Sequence, residues 1–256
     1  MSVDRRDFIK VTGLTALGIV CEPGKFALAE KVAGQPLKAG RWAMVIDLSK
    51  CLKEEGCNEC QKACHYIHNV PEITGDKKAE HEVKWIWKQT YEDSFPEQEH
   101  KYISEEIKEK EVVLLCNHCD NPPCVRVCPT KATWKRGDGL VMMDQHRCVG
   151  CRFCIAACPY GSRSFNWVDP RPFIKNINKK YPTRTKGVVE KCNFCSERLA
   201  KGEIPACVEA CKEKALVFGD INQNDSEVRH LLETNYSVRR KPSLGTNPEV
   251  YYIISK

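Results

Sequence analysis

Sixteen of the chain's 17 cysteines fall into four quartets: Cys51, Cys57, Cys60, Cys64; Cys116, Cys119, Cys124, Cys128; Cys148, Cys151, Cys154, Cys158; and Cys192, Cys195, Cys207, Cys211. Each quartet closes on the same Cys-x3-Cys step. The third, Cys148-x2-Cys151-x2-Cys154-x3-Cys158-Pro159, is the complete run by which bacterial ferredoxins hold 4Fe–4S cubanes. Three thiolates two residues apart wrap one face of a cubane on a tight loop. The fourth, expected to begin a helix, points away and serves a neighbouring cluster. Four thiolates to each cubane imply four clusters, and the chemistry they would do is one-electron transfer.

The quartet endings indicate how the last cysteines are exchanged. The second and third quartets end in Cys-Pro (Pro129, Pro159), whereas the first and last end in Cys64-His65 and Cys211-Lys212. Inner quartets are therefore expected to exchange with each other, and outer with outer. The expected ligand sets are Cys51, Cys57, Cys60 and Cys211 for cluster 1, and Cys192, Cys195, Cys207 and Cys64 for cluster 2. Cluster 3 takes Cys116, Cys119, Cys124 and Cys158, and cluster 4 takes Cys148, Cys151, Cys154 and Cys128. Zinc also binds Cys-x2-Cys pairs, but it has no use for a third cysteine in register or a trailing Cys-x3-Cys-Pro. A disulfide framework would scatter its cysteines. His118, inside Cys116-Asn117-His118-Cys119, and His65, after Cys64, could hydrogen-bond toward cluster sulfur, with no need for either as a ligand. No nucleophile–base pair, phosphate loop or flavin fingerprint stands out, so no catalytic residue is assigned.

The elements that must position these thiolates repeat with them. A strand-like run enters each quartet: Trp42 to Leu48, Glu111 to Leu115, Leu140 to Asp144, and Gly187 to Glu190. Further apolar runs follow the last two, at Ser164 to Trp167 and Ala215 to Phe218. The pattern predicts an α+β fold of two fused bacterial-type ferredoxin units with inserted loops, folding in step with metal insertion. The insertions are residues 65–110, rich in charge and aromatics, with a helix expected over Ile103 to Lys110, and 168–186, expected as an extended surface segment. A helix within Gln223 to Arg240 should lead into an extended tail, making 219–256 a C-terminal appendage.

The N-terminus carries a different signal. Arg5-Arg6 precedes a weakly apolar stretch, Val11 to Val20, and Ala27-Leu28-Ala29 offers a small-x-small cleavage site. Residues 1–29 are thus expected to be a twin-arginine export signal, leaving 30–256 as the electron-transfer domain and discarding Cys21. The stretch is shorter than the about 20 residues that span a bilayer. The formal charge of +6 falls to +5 on cleavage, because four Lys/Arg and three Asp/Glu leave together. Each oxidised cubane with its thiolates adds about −2, so the loaded protein is expected to be mildly acidic. The basic composition therefore argues for no nucleic-acid partner.

These residues carry a family resemblance over nearly the whole chain. The quartets, Cys116-Asn117-His118-Cys119, Asn121-Pro122-Pro123-Cys124 and Pro248-Glu249-Val250-Tyr251-Tyr252 resemble the four-cluster iron–sulfur subunits of the dimethyl sulfoxide reductase and polysulfide reductase group. With Asp169-Pro170-Arg171-Pro172-Phe173 and Pro182-Thr183-Arg184-Thr185-Lys186-Gly187, the chain looks most like the DsrO-type subunits of the Dsr sulfite-reduction-associated membrane complex and their counterparts in the Hme menaquinol-oxidising complex. The resemblance implies an electron-transfer subunit, not itself an enzyme. It would sit on the periplasmic side of the cytoplasmic membrane, held there by partners. Those would be an NrfD-like polytopic, quinone-reactive subunit, a c-type cytochrome, and further iron–sulfur or haem subunits, with no small-molecule substrate of its own. The alternatives are the beta subunit of a molybdenum-containing reductase and an NrfC-like electron donor to a cytochrome.

Overall fold

A computed structural model of the chain describes residues 34–75 and 78–254, so the expected export signal and Cys21 lie outside the described residues. Ten strands are described: β1 Trp42–Asp47, β2 Ile86–Thr90, β3 Glu111–Leu115, β4 Thr133–Lys135, β5 Val141–Met143, β6 Ser164–Phe165, β7 Val189–Glu190, β8 Leu216–Asp220, β9 Ser237–Val238 and β10 Val250–Ile253. Short helices stand between them, and the chain is α+β.

Strand β1 is apolar along nearly its whole length and buried throughout, as a central strand covered on both faces should be. It lies antiparallel to β8 and parallel to β10, with β9 outside β10. Alternation along β1 divides the core. Trp42, Met44 and Ile46 face the main core, while Ala43 and Val45 pack with Val217, Ile253 and Val228. Val228 belongs to the helix Glu227–Thr234, whose first turn is capped by Ser226 accepting from the Arg229 N–H at 3.1 Å.

The other strands form antiparallel ribbons, β2 with β3, β4 with β5 and β6 with β7. Every strand-like run expected beside a quartet contains a strand. The last segment departs from the expectation. Residues 250–253 form an interior strand of the four-stranded sheet, because Val250, Tyr252 and Ile253 bury against β1 and the core. The 65–110 insertion is also more than a charged excursion. It supplies β2 and buries Trp85, Trp87 and Phe95, while the helix expected over 103–110 spans Glu105–Glu109. In the 168–186 segment Arg184 is buried, paired with a carboxylate of β7.

Candidate metal centre

The third cysteine of each quartet lies on a short helix: Cys60 in Glu59–Ile67, Cys124 in Pro123–Arg126, Cys154 in Phe153–Ala156 and Cys207 in Ala206–Glu209. The fourth was expected to begin a helix; instead it comes four residues later. Cys64 is still helical, and Cys128, Cys158 and Cys211 lie just past the helix end. Four residues of helical rise carry it about 6 Å along the axis, which is how one turn can serve two sites. Prolines fit these starts, Pro123 in the first turn of one helix and Pro205 capping another. The helix Glu59–Ile67 packs on Ala206–Glu209, and Pro123–Arg126 packs on Phe153–Ala156. Outer quartet thus meets outer, and inner meets inner.

The loops before these helices turn through left-handed backbone at His118, Gly150, Arg152, Phe194 and Cys195. At Gly150 only glycine fits, since a Cβ there would collide with the Gly187 carbonyl. The turns and helix starts aim amides at sulfur. Phe194 N–H donates to Cys192 Sγ and Ala206 N–H to Cys195 Sγ, both at 3.4 Å, and Ala215 N–H donates to Cys211 Sγ at 3.2 Å.

The sixteen described cysteines form no disulfide. Cys116, Cys119, Cys124 and Cys158 line one cavity, with Arg163 and Tyr160. Cys128, Cys148, Cys151 and Cys154 line a second, with Arg152 and Thr130. The remaining thiols group through the fields they exert on one another. Burial, then Cys51, Cys211 and Cys57, push Cys60 up to about 12. Burial, then Cys192, Cys195 and Cys207, push Cys64 well above its ordinary value. Mutual effects also run between groups, from Cys60 to Cys207, from Cys116 to Cys192 and from Cys124 to Cys154. The four groups of thiols therefore follow one another in a row, from that of Cys60 through those of Cys207 and Cys116 to that of Cys154.

Thiols gathered in fours, nearly all of them buried or half-buried, are a poor arrangement for free thiolates and a suitable one for metal, which deprotonates coordinating thiols outright. The cations nearby fit an anionic occupant. Arg163, 4% exposed, donates to Thr133 Oγ1 at 2.8 Å and faces Met143 Sδ at 3.6 Å. Lys191, 2% exposed, donates to the carbonyls of Cys192 and Val141. Arg240, 3% exposed, donates to the Ser94 carbonyl and leaves Nη1 without a partner. None of the three pairs with a carboxylate among the described residues. Buried cations without counter-charge cost several kcal/mol each, so a cluster dianion is the complement they lack.

The histidines divide differently from expectation. His118 is buried, stacked on Phe194 with centroids 3.8 Å apart, and its Nδ1 accepts from the Val141 N–H at 3.0 Å. Burial, then Lys191, hold its pKa well below the usual value. His65 is half-buried, with no described contact to sulfur and its Nε2 unpartnered. The residue that reaches sulfur is His68, whose Nδ1 lies 3.6 Å from Cys64 Sγ and 3.0 Å from the Cys64 carbonyl. Its Nε2 meets Glu197 at 2.9 Å, and its ring stacks on Trp85. The signal was available, since His68 follows Cys64 by four residues on one helix. His68, Cys195 and Glu197 also lie close enough to share a small ion, although Cys195 already belongs to a thiol group.

The two ends of the row differ in surface. At one, Cys151 is exposed beside Val149, Phe153 and Trp167. At the other, a cleft beside Cys51 is lined by Glu54, Glu55, Glu106 and Glu109 with Lys88 and Lys110. No helix among the described residues is long and apolar enough to cross a membrane.

Residues 111–171 and 176–221 match a model of the 4Fe-4S dicluster domain, consistent with a ferredoxin-like α+β fold. The chain is 40% identical to the Hdr-like menaquinol oxidoreductase iron-sulfur subunit 1 of Archaeoglobus fulgidus, covering 98% of this chain and 97% of that protein. It is 35% identical to the iron-sulfur cluster-binding subunit of the menaquinone reductase of Nitratidesulfovibrio vulgaris, over 83% of this chain and 88% of the relative. It is 34% identical to protein NrfC of Escherichia coli, over 99% and 96%.

Proposed function

This chain belongs to the family of iron–sulfur subunits that serve menaquinol oxidoreductases and related reductase complexes, and we propose that it relays single electrons within such a complex and turns over no substrate of its own. The observation that carries this reading is the row of four thiol groups, each assembled from two quartets, with its one fully exposed cysteine, Cys151, at an end. Four 4Fe–4S cubanes bound there would supply one-electron redox chemistry along the row. Cluster 1 is held by Cys51, Cys57, Cys60 and Cys211, cluster 2 by Cys64, Cys192, Cys195 and Cys207, cluster 3 by Cys116, Cys119, Cys124 and Cys158, and cluster 4 by Cys128, Cys148, Cys151 and Cys154. The protein's own part is to hold the thiolates, to aim amides at their sulfurs and to keep water from the middle of the row.

The complex is a menaquinol-linked one of sulfur metabolism, with an NrfD-like membrane subunit and a c-type cytochrome as partners. The chain reaches the periplasmic face by the twin-arginine route and stays there through its partners. A mild-detergent pull-down from native membranes tests this, with iron, molybdenum and haem analysis. The expected result is about sixteen irons per chain, four to each cubane, with a polytopic quinone-binding chain and a c-type cytochrome and no molybdenum. Molybdenum with a large catalytic chain would overturn the assignment and make this a reductase's beta subunit. Zinc in place of iron, or substrate turnover by the isolated chain, would overturn the relay itself.

A further inference from the structure

The three buried cations without carboxylates are not spread evenly along the row. Arg163 lines the cavity of Cys116, Cys119, Cys124 and Cys158, and its charge is felt by Cys124 and by Cys154 of the next group. Lys191 donates to the carbonyl of Val141, which lines the same cavity, and its charge is felt by Cys124 and by Cys192. Arg240 lies over the Tyr160 ring, 5.5 Å from its centroid, and its field reaches Cys158. All three therefore converge on the group of Cys116, Cys119, Cys124 and Cys158. The neighbouring group of Cys64, Cys192, Cys195 and Cys207 shares Lys191 but also has a carboxylate close by, Glu197, which acts against it at Cys192 and on Cys195 too. The buried carboxylates among the described residues are matched, Glu190 by Arg184, Glu249 by Arg41 and Asp47 by Lys50.

From this placement we infer that Arg163 and Lys191, with Arg240 behind them, make the cluster held by Cys116, Cys119, Cys124 and Cys158 the most readily reduced of the four. The inference rests on the four-cluster reading above. Its physical basis is that reduction adds one negative charge to a site where fixed positive charge is already in place and water is scarce, so the field is little screened. The charge of Arg163 also reaches Cys154, but the group of Cys154 includes the exposed Cys151, where solvent screens a single charge. A guanidinium and an ammonium already held in place cost no reorganisation when the electron arrives. The surrounding hydrogen bonds keep both cations aimed at the site, Arg163 through Thr133 and Lys191 through two carbonyls.

The experiment is a potentiometric titration of the purified, iron-loaded chain, followed by EPR of the reduced clusters, on the native protein and on Arg163→Met and Lys191→Met. The two variants share one thiol group, since Arg163's other neighbour is Cys154 and Lys191's is Cys192. The signal moved by both is thereby identified. The expected result is that this common signal is the first to appear on reduction. At a fixed poise each variant should lower its reduced-to-oxidised ratio at least tenfold, about 59 mV for one electron. Arg163→Lys should return most of the shift, which a merely structural role would not do. Should Arg163→Met fail to hold its iron, Lys191→Met paired with Arg240→Met decides in the same way, because these two share only the Cys158 group. A first signal that stays in place in loaded variants, or a common signal that appears later than another, overturns the inference while leaving the relay intact. A native protein with fewer than about sixteen irons removes the four-cluster reading, and the inference with it.

Discussion

The inner and outer pairs of thiol groups are built from the same cysteine spacing and meet different surroundings. In the outer pair, Cys64 and Cys207 are buried, and their neighbours are mainly other thiols, so burial and mutual repulsion push both well above the ordinary thiol range. In the inner pair, burial raises Cys124 and Cys154 too, but Arg163 works against it at both. At Cys128 burial is outweighed altogether by the amides of Thr133, Ala132 and Thr130 and by the Thr130 hydroxyl, and its pKa is lowered. The spacing decides which atoms can hold iron. The charges and dipoles around them decide how readily each site accepts an electron, and these come from residues outside the repeat.

The largest effect should come from removing a buried, exchanged thiol. Cys64→Ser is expected to strip the site shared with Cys192, Cys195 and Cys207, lowering iron by up to about four per chain and removing one EPR signal. The site of Cys51, Cys57 and Cys60 should keep its own. Cys151→Ser, at the exposed end, should lose less, because solvent or the serine oxygen can complete a partly exposed cluster. If Cys64→Ser instead damages only the site of its own quartet, the exchange between outer quartets is wrong.

How much of this could be seen in the chain beforehand follows the same division. The cysteine groups and the strands beside them are local patterns, fixed spacings and short apolar runs such as Glu111 to Leu115, and these were legible. The place of Val250–Ile253 beside β1 was not, because a parallel pairing across some 200 residues leaves no local trace. Nor were Arg163, Lys191 and Arg184, since a charged residue in sequence reads as a solvated one and burial becomes visible only when the fold surrounds it. Two had a positional hint: Lys191 immediately precedes Cys192, and Arg163 follows Cys158 by five residues in the loop leaving the quartet.

A smaller effect, on stability, should follow from breaking the buried pair of Arg184 and Glu190. Glu190 accepts from Arg184 Nε at 2.7 Å, from Trp85 Nε1 at 2.7 Å and from Asn166 Nδ2 at 2.5 Å, tying the 65–110 and 168–186 insertions to β7. Arg184→Met leaves the carboxylate buried with its charge unpaired and is expected to cost about 3–5 kcal/mol. The measurement is thermal bleaching of the cluster absorbance. Loss confined to surface protease sensitivity, with bleaching unchanged, would mean that the insertions are not part of the fold that holds the iron.

The smallest effect concerns acid, and it separates the outer pair from the inner by its charge. Glu197 is partly buried, and burial alone would raise its pKa. The hydrogen bond and charge of His68 prevail, with Asn193 donating to the same carboxylate at 3.0 Å, and hold it below its usual range. A carboxyl whose pKa is lower folded than unfolded contributes stability above the unfolded value and loses it as pH falls through the folded one. Unfolding free energy should therefore be level between about pH 7 and pH 5 and decline below the ordinary carboxylate range. Glu197→Gln should remove on the order of 1–2 kcal/mol at neutral pH, the size of a charged hydrogen bond, and flatten part of the acid decline. Because Glu197 acts on Cys192 and Cys195 and Arg163 on Cys124 and Cys154, the acid response of Arg163→Met should match that of the native protein. An equal flattening in both variants would show that the two halves of the row do not titrate independently, and that their electrostatics have to be treated as one site.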